Sequence, residues 1–92
     1  MYGVLVTAKI AAGQFENARK GLREQVIPRV KQAPGLVKGF WTINGDGTQG
    51  VSLVVFDTKE HAEAAADMVR TSAPQPGVSL AGADVREIVA DA

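Results

Sequence analysis

The sequence predicts an α+β domain in which two helices lie against a mainly antiparallel four-stranded sheet, in the order βαββαβ. Three observations carry this. The stretch Leu36–Phe56, LVKGFWTINGDGTQGVSLVVF, reads as two strands joined by a glycine-rich hairpin. Two segments with apolar residues at three- and four-residue steps flank that hairpin, one on each side. Runs rich in Val, Leu and Ile lie near both ends of the chain.

Taken in order, Tyr2 to Ile10 is the first strand. Tyr2, Val4, Val6 and Ala8 share one side and Leu5 and Thr7 the other, so both faces look covered. Gly13 marks a turn into a helix over Gln14–Gln32, whose stripe is Phe15, Ala18, Leu22, Val26 and Val30. Burying each large side chain of such a stripe is worth about 1.5–3 kcal/mol before the entropy of ordering it is subtracted. Pro28 lies inside this helix. It lacks a donor and crowds the preceding turn, which predicts a kink near Glu24–Ile27 or an early end. Pro34-Gly35 stops the helix and turns the chain into the second strand, Leu36 to Ile43.

Asn44-Gly45 and Asp46-Gly47 are tight-turn dipeptides, and Gly50 allows a loop longer than two residues or a bulge. Gly45, Gly47 and Gly50 also spell G-x-G-x-x-G. A dinucleotide site needs a helix to follow, whereas a strand follows here, so the glycines are read as turn residues. Asn44, Asp46 and Thr48 have calcium-loop spacing, but Gln49 and Val55 stand where Gly and Glu are needed. The third strand, Val51–Phe56, has Ser52 as its single polar interruption and reads as buried on both faces. Asp57 with Glu60 forms a capping pattern for a second helix over Thr58–Thr71, with a narrow stripe of Ala62, Ala65, Ala66 and Val69 flanked by His61 and Met68. Ser72–Val78 is a proline- and glycine-bearing loop. The last strand falls between Gly82 and Ala90, with Leu80 joining it through a bulge at Gly82.

Ninety-two residues, 46% hydrophobic and 22% charged, make one domain, residues 1–92, with enough apolar material for a core. Ten basic and ten acidic residues cancel. That balance argues against a nucleic-acid or anionic-membrane partner. There is no cysteine, which removes disulfides, thiolate nucleophiles and zinc–cysteine sites. The apolar start lacks a basic leader and is interrupted by Thr7 and Lys9; no run approaches the ~18 apolar residues of a membrane span. A cytoplasmic protein is the expectation. Helices on one face of the sheet leave the other face of strands one and three exposed. An apolar sheet face is larger than soluble monomers show, which predicts a homodimer packed sheet to sheet about a two-fold axis.

The element order, Pro28 with Ala33-Pro34-Gly35-Leu36, and the strand Val51–Phe56 running into Asp57-Thr58-Lys59-Glu60-His61-Ala62 resemble the dimeric α+β barrel superfamily. Within it the chain is most similar to the small antibiotic-biosynthesis-monooxygenase-like proteins. The resemblance implies a ferredoxin-like homodimer with a cavity between helices and sheet in each subunit. Some relatives oxidise polycyclic phenolic substrates without metal or flavin; others degrade haem. Phe56 stands where active relatives often carry Trp. The Asn and mid-helix His of the haem-degrading branch have no counterpart here, so no residue role is carried over from it.

Two readings of function remain open: a cofactor-independent monooxygenase acting on a flat aromatic or phenolic substrate, and a non-catalytic homodimeric ligand-binding or structural module. The first takes His61 and Trp41 as catalytic candidates, and Tyr2, Phe56, Met68 and Asn44 as substrate-binding candidates, with no metal and no cofactor. Each has a structural reading beside it. His61, the only histidine, also fits a helix start at the edge of an apolar stripe. Trp41 fits ordinary packing, with Gly39 leaving room beside the indole. Asn44 fits the turn, and Tyr2 a strand end.

Overall fold

The computed structural model describes residues 1–73 and 75–92. Pro74, placed by the sequence in the loop after the second helix, lies outside the described residues. Strand β1 (Tyr2–Ile10) is followed by α1 (Phe15–Gly21), a π-helical turn (Leu22–Val26) and α2 (Ile27–Val30). Then come β2 (Leu36–Ile43), β3 (Gln49–Phe56), α3 (Lys59–Thr71) and β4 (Val78–Glu87). The sheet order is β2-β3-β1-β4 and every neighbouring pair is antiparallel. Because α1, the π turn and α2 are one uninterrupted run of helical backbone, this is the expected βαββαβ fold.

Pro28 explains the π turn. It offers no N–H to the carbonyl of Glu24, and its ring crowds that carbonyl. The backbone answers one turn earlier: the Ile27 N–H reaches the Leu22 carbonyl, five residues back. This widened turn carries the helix past the proline and on to Val30. The helix therefore ends before the predicted Gln32, and the predicted kink is a π turn.

The start of α3 corrects another expectation. Thr58, not Asp57, is the N-cap: its backbone is extended and its Oγ1 accepts from the His61 N–H at 3.1 Å. Asp57 sits one residue too early to reach that donor and bonds the His61 ring instead. In β4 the register with β1 slips between Thr7 and Ala8, whose partners are Gly82 and Leu80. Ala81 is thus the extra residue of the expected bulge, beside Gly82. The strand ends at Glu87 instead of Ala90; the Ile88 N–H makes one more bond to the Met1 carbonyl, and Val89 is 86% exposed.

The hairpin closes with the Asn44 N–H on the Gln49 carbonyl, leaving Gly45–Thr48 as the loop. Of its glycines only Gly47 takes a positive φ, 75°. The core lies between β1, β3 and α3: Val4, Val54, Phe56, Ala62 and Ala66 are buried together. Ala62 and Ala66 have no exposed surface at all, since a stripe of small side chains lets α3 settle directly on the sheet. The first helix carries the larger Leu22, Val26 and Val30, and these remain half-buried. On the other face of the sheet, Phe40, Leu53 and Leu5 form one row across β2, β3 and β1. No helix lies on it, and Phe40 is 52% exposed.

Candidate functional site

The half-burial of the first helix has a cause: a cavity of about 470 Å³ separates it from the sheet. Val4, Val6, Trp41, Ser52, Val54 and Phe56 form its floor on β1, β2 and β3. Ala18, Leu22, Val26 and Val30 roof it, and Ala65 and Val69 of α3 close one flank. Exposed Met68, Arg29 and Ser72 stand at its mouth with Gln75. Gln75 is tied there: its Nε2 donates to Gln25 Oε1 at 2.9 Å, and it packs where Gly21 has no side chain.

Of the residues singled out from sequence, Trp41, Phe56 and Met68 are brought together in this lining. The indole of Trp41 lies over Gly39, so the room predicted beside it is filled by the ring itself; a Cβ at Gly39 would stand 2.7 Å from Trp41 Cη2. His61, Tyr2 and Asn44 are outside the lining. His61 faces the junction between α2 and β2, with Nδ1 2.6 Å from Asp57 Oδ1 and Gly35 against the ring. The Tyr2 hydroxyl donates to Glu87 Oε2, on its register partner in β4, at 3.5 Å. The Asn44 side chain is spent on the hairpin, its Oδ1 accepting from the N–H groups of Thr48 and Gln49 at 3.0 and 2.9 Å.

Two cavity residues, Ser52 and Arg29, were not among the candidate site residues. Ser52 is 9% exposed, lies beside Trp41 in the strand register, and makes no side-chain hydrogen bond among the described residues. Its signal in the sequence was its place as the one hydroxyl in an apolar strand. Arg29 follows Leu22 and Val26 at the same helical spacing that marks the cavity side. No carboxylate and no imidazole among the described residues lines the cavity. Among the described residues there is no group of three or more side chains able to hold a metal ion. No helix of the described chain is long and apolar enough to cross a membrane.

No protein-family profile matches the sequence, and no curated protein is significantly similar to it. Solved structures do match over nearly the whole chain. A dimeric ferredoxin-like protein from an uncultured marine organism superposes with a TM-score of 0.67 at 11% identity, over 99% of this chain and 97% of that one. A putative antibiotic biosynthesis monooxygenase from Nitrosomonas europaea gives 0.66 at 16% identity, over 98% and 100%. A variant of MhuD with two manganese protoporphyrin IX bound per active site gives 0.65 at 17% identity, over 100% and 98%. A monooxygenase from Streptomyces coelicolor in complex with nanaomycin D gives 0.59 at 16% identity, over 99% and 92%. At these identities the likeness is one of fold. The chain has the ferredoxin-like α+β fold that these structures share.

Proposed function

We propose that the chain is a monooxygenase-like protein that holds an aromatic, phenolic substrate in the cavity between its first helix and its sheet. The observation that carries this is the cavity itself: a volume suited to a small organic molecule, walled by hydrocarbon and by the Trp41 and Phe56 rings. Two proteins of the same fold hold a porphyrin and nanaomycin D. In this reading Trp41, Phe56 and Met68 bind and orient the substrate. His61, Tyr2 and Asn44 hold the scaffold around it.

The chemistry asked of the protein is modest. A phenol that has lost its proton places electron density on a ring carbon. That carbon bonds to dioxygen, and the resulting hydroperoxide collapses to a carbonyl, the second oxygen atom leaving as water. When a ring methylene becomes a carbonyl, the substrate supplies all four electrons that reduce dioxygen. The protein contributes orientation and exclusion of water. The proposal includes a homodimer formed through the Phe40–Leu53–Leu5 face, supported by the dimeric neighbour and by the apolar row no helix covers.

Oxygen uptake with a panel of anthrones, naphthols and hydroquinones tests the activity. Turnover with at least one of them, lost in Trp41→Ala, supports the reading. Binding without oxygen uptake across the panel reduces the protein to a ligand carrier.

A further inference from the structure

The chemistry of the cavity wall narrows its occupant. Among the described residues Arg29 and Arg70 are the only charged side chains in the lining, and no acidic residue joins them. Arg70 is engaged: its guanidinium donates to the Ala83 carbonyl at 2.6 Å and pairs with Asp67 at 3.2 Å. Arg29 has no ion pair and no side-chain hydrogen bond among the described residues. A free guanidinium at the rim of an apolar hollow draws anions toward it, and its planar fork matches a carboxylate or sulfonate. On the sheet side of the cavity Ser52, a residue 9% exposed, makes no side-chain hydrogen bond among the described residues, and its hydroxyl keeps surface open to the hollow. A hydroxyl placed there can bond an oxygen of the occupant.

We infer that the cavity selects an aromatic anion, its acidic group held at the mouth by Arg29 and one ring oxygen bonded by Ser52 on the floor. This rests on the reading of the cavity as an aromatic-substrate site. The aromatic body fills the space between Trp41 and Leu22, and the two polar ends fix which way round it enters.

The test is a pair of fluorescent probes with the same aromatic body, anilinonaphthalene sulfonate and the neutral phenylnaphthylamine, titrated into the full chain. The sulfonate should bind roughly tenfold more tightly, the worth of one charge-assisted contact. Arg29→Gln should erase that preference, Arg29→Lys should keep part of it, and added salt should weaken it. In a second arm, Ser52→Ala should weaken binding of a hydroxynaphthoquinone several-fold relative to phenylnaphthylamine. Ala65→Phe, which fills the cavity, should remove both probe signals; a signal that survives it comes from the open sheet face and overturns the inference. Equal binding of the two probes, unchanged in Arg29→Gln, overturns the choice of an anion while leaving the aromatic site standing. Failure of the wild-type chain to bind either probe overturns both.

Discussion

His61 Nδ1 lies 2.6 Å from Asp57 Oδ1, and both side chains close on Gly35. The pair joins the end of β3 to the first turn of α3, and Gly35 brings the α2–β2 connection onto it through the Asp57 N–H and the Gly35 carbonyl at 2.9 Å. The hydrogen bond with His61 is the main cause that holds the Asp57 carboxyl below the ordinary aspartate range. A carboxyl depressed in the folded state contributes stability that is complete above its unfolded value and is lost as pH falls through its folded value. Asp57→Asn should therefore lower the melting temperature slightly near neutral pH and leave it unchanged in strong acid, where the wild-type carboxyl is already protonated. The effect is small because both side chains are about half exposed, 41% and 53%. Thermal melts across the acid range measure it; an equal loss at every pH would assign the pair no electrostatic role.

Gly35 should tolerate substitution badly. Its φ is +78°, a region that L side chains rarely adopt, and a Cβ there runs into Asp57 and the His61 ring. Gly35→Ala should cost about 1–3 kcal/mol, with backbone strain and displaced side chains adding together. Denaturant titration gives the number. Gly45, in the neighbouring hairpin, has neither a positive φ nor any neighbour close to a Cβ, so Gly45→Ala is the control and should be near neutral.

These two residues also show what could be read in the chain beforehand. Pro34-Gly35 announced the turn and the apolar run Val51–Phe56 announced a strand, because both follow from local backbone chemistry; the strand is buried on the helix side only, at Ser52, Val54 and Phe56, while Val51 is exposed on the other. The partner of Asp57 was not legible: a capping role and a bond to a side chain one helical turn on use the same residue types. Capping fell to Thr58 because its extended backbone, one residue later, aims Oγ1 at the His61 N–H. The cavity was implied by the family resemblance but could not be read from the residues themselves. Its existence depends on how far the first helix stands from the sheet, a tertiary distance that no local pattern encodes. Stripe residues such as Leu22 and Val26 look the same in sequence whether they face a filled core or a hollow.

Leu53 tests the assembly. It sits mid-row between Phe40 and Leu5 on the open face, and its Cδ1 reaches over Gly3, where a Cβ would come within 2.7 Å. The Leu53→Lys side chain can leave the face at the edge of a monomer but cannot be buried unpaired between two sheets. Sedimentation should show a dimer for the wild-type chain and a shift toward monomer for Leu53→Lys, by tenfold or more in dissociation constant for roughly every 1.4 kcal/mol lost. A wild-type monomer at micromolar concentration would remove the dimer, and an undisturbed dimer in the variant would place its interface elsewhere.

Trp41 and Gly39 give the most direct control over the cavity. The indole lies along β2 over the bare backbone of Gly39, and a Cβ there would stand 2.7 and 2.8 Å from Trp41 Cη2 and Cζ3. Gly39→Val therefore has to lift the ring. Its free direction is into the cavity whose floor it already forms, because the sheet backbone blocks the other side. The lifted ring takes volume from the ligand while the fold loses little, about 1 kcal/mol for an adjustment at a half-buried site. Binding of phenylnaphthylamine should fall by about tenfold, whereas Trp41→Ala, which enlarges the cavity, should loosen binding and cost about 2 kcal/mol or more of stability. Trp41 is the only tryptophan, so its emission reports the ring's move without a label. Unchanged emission together with unchanged probe affinity in Gly39→Val would mean that the indole does not bound the site.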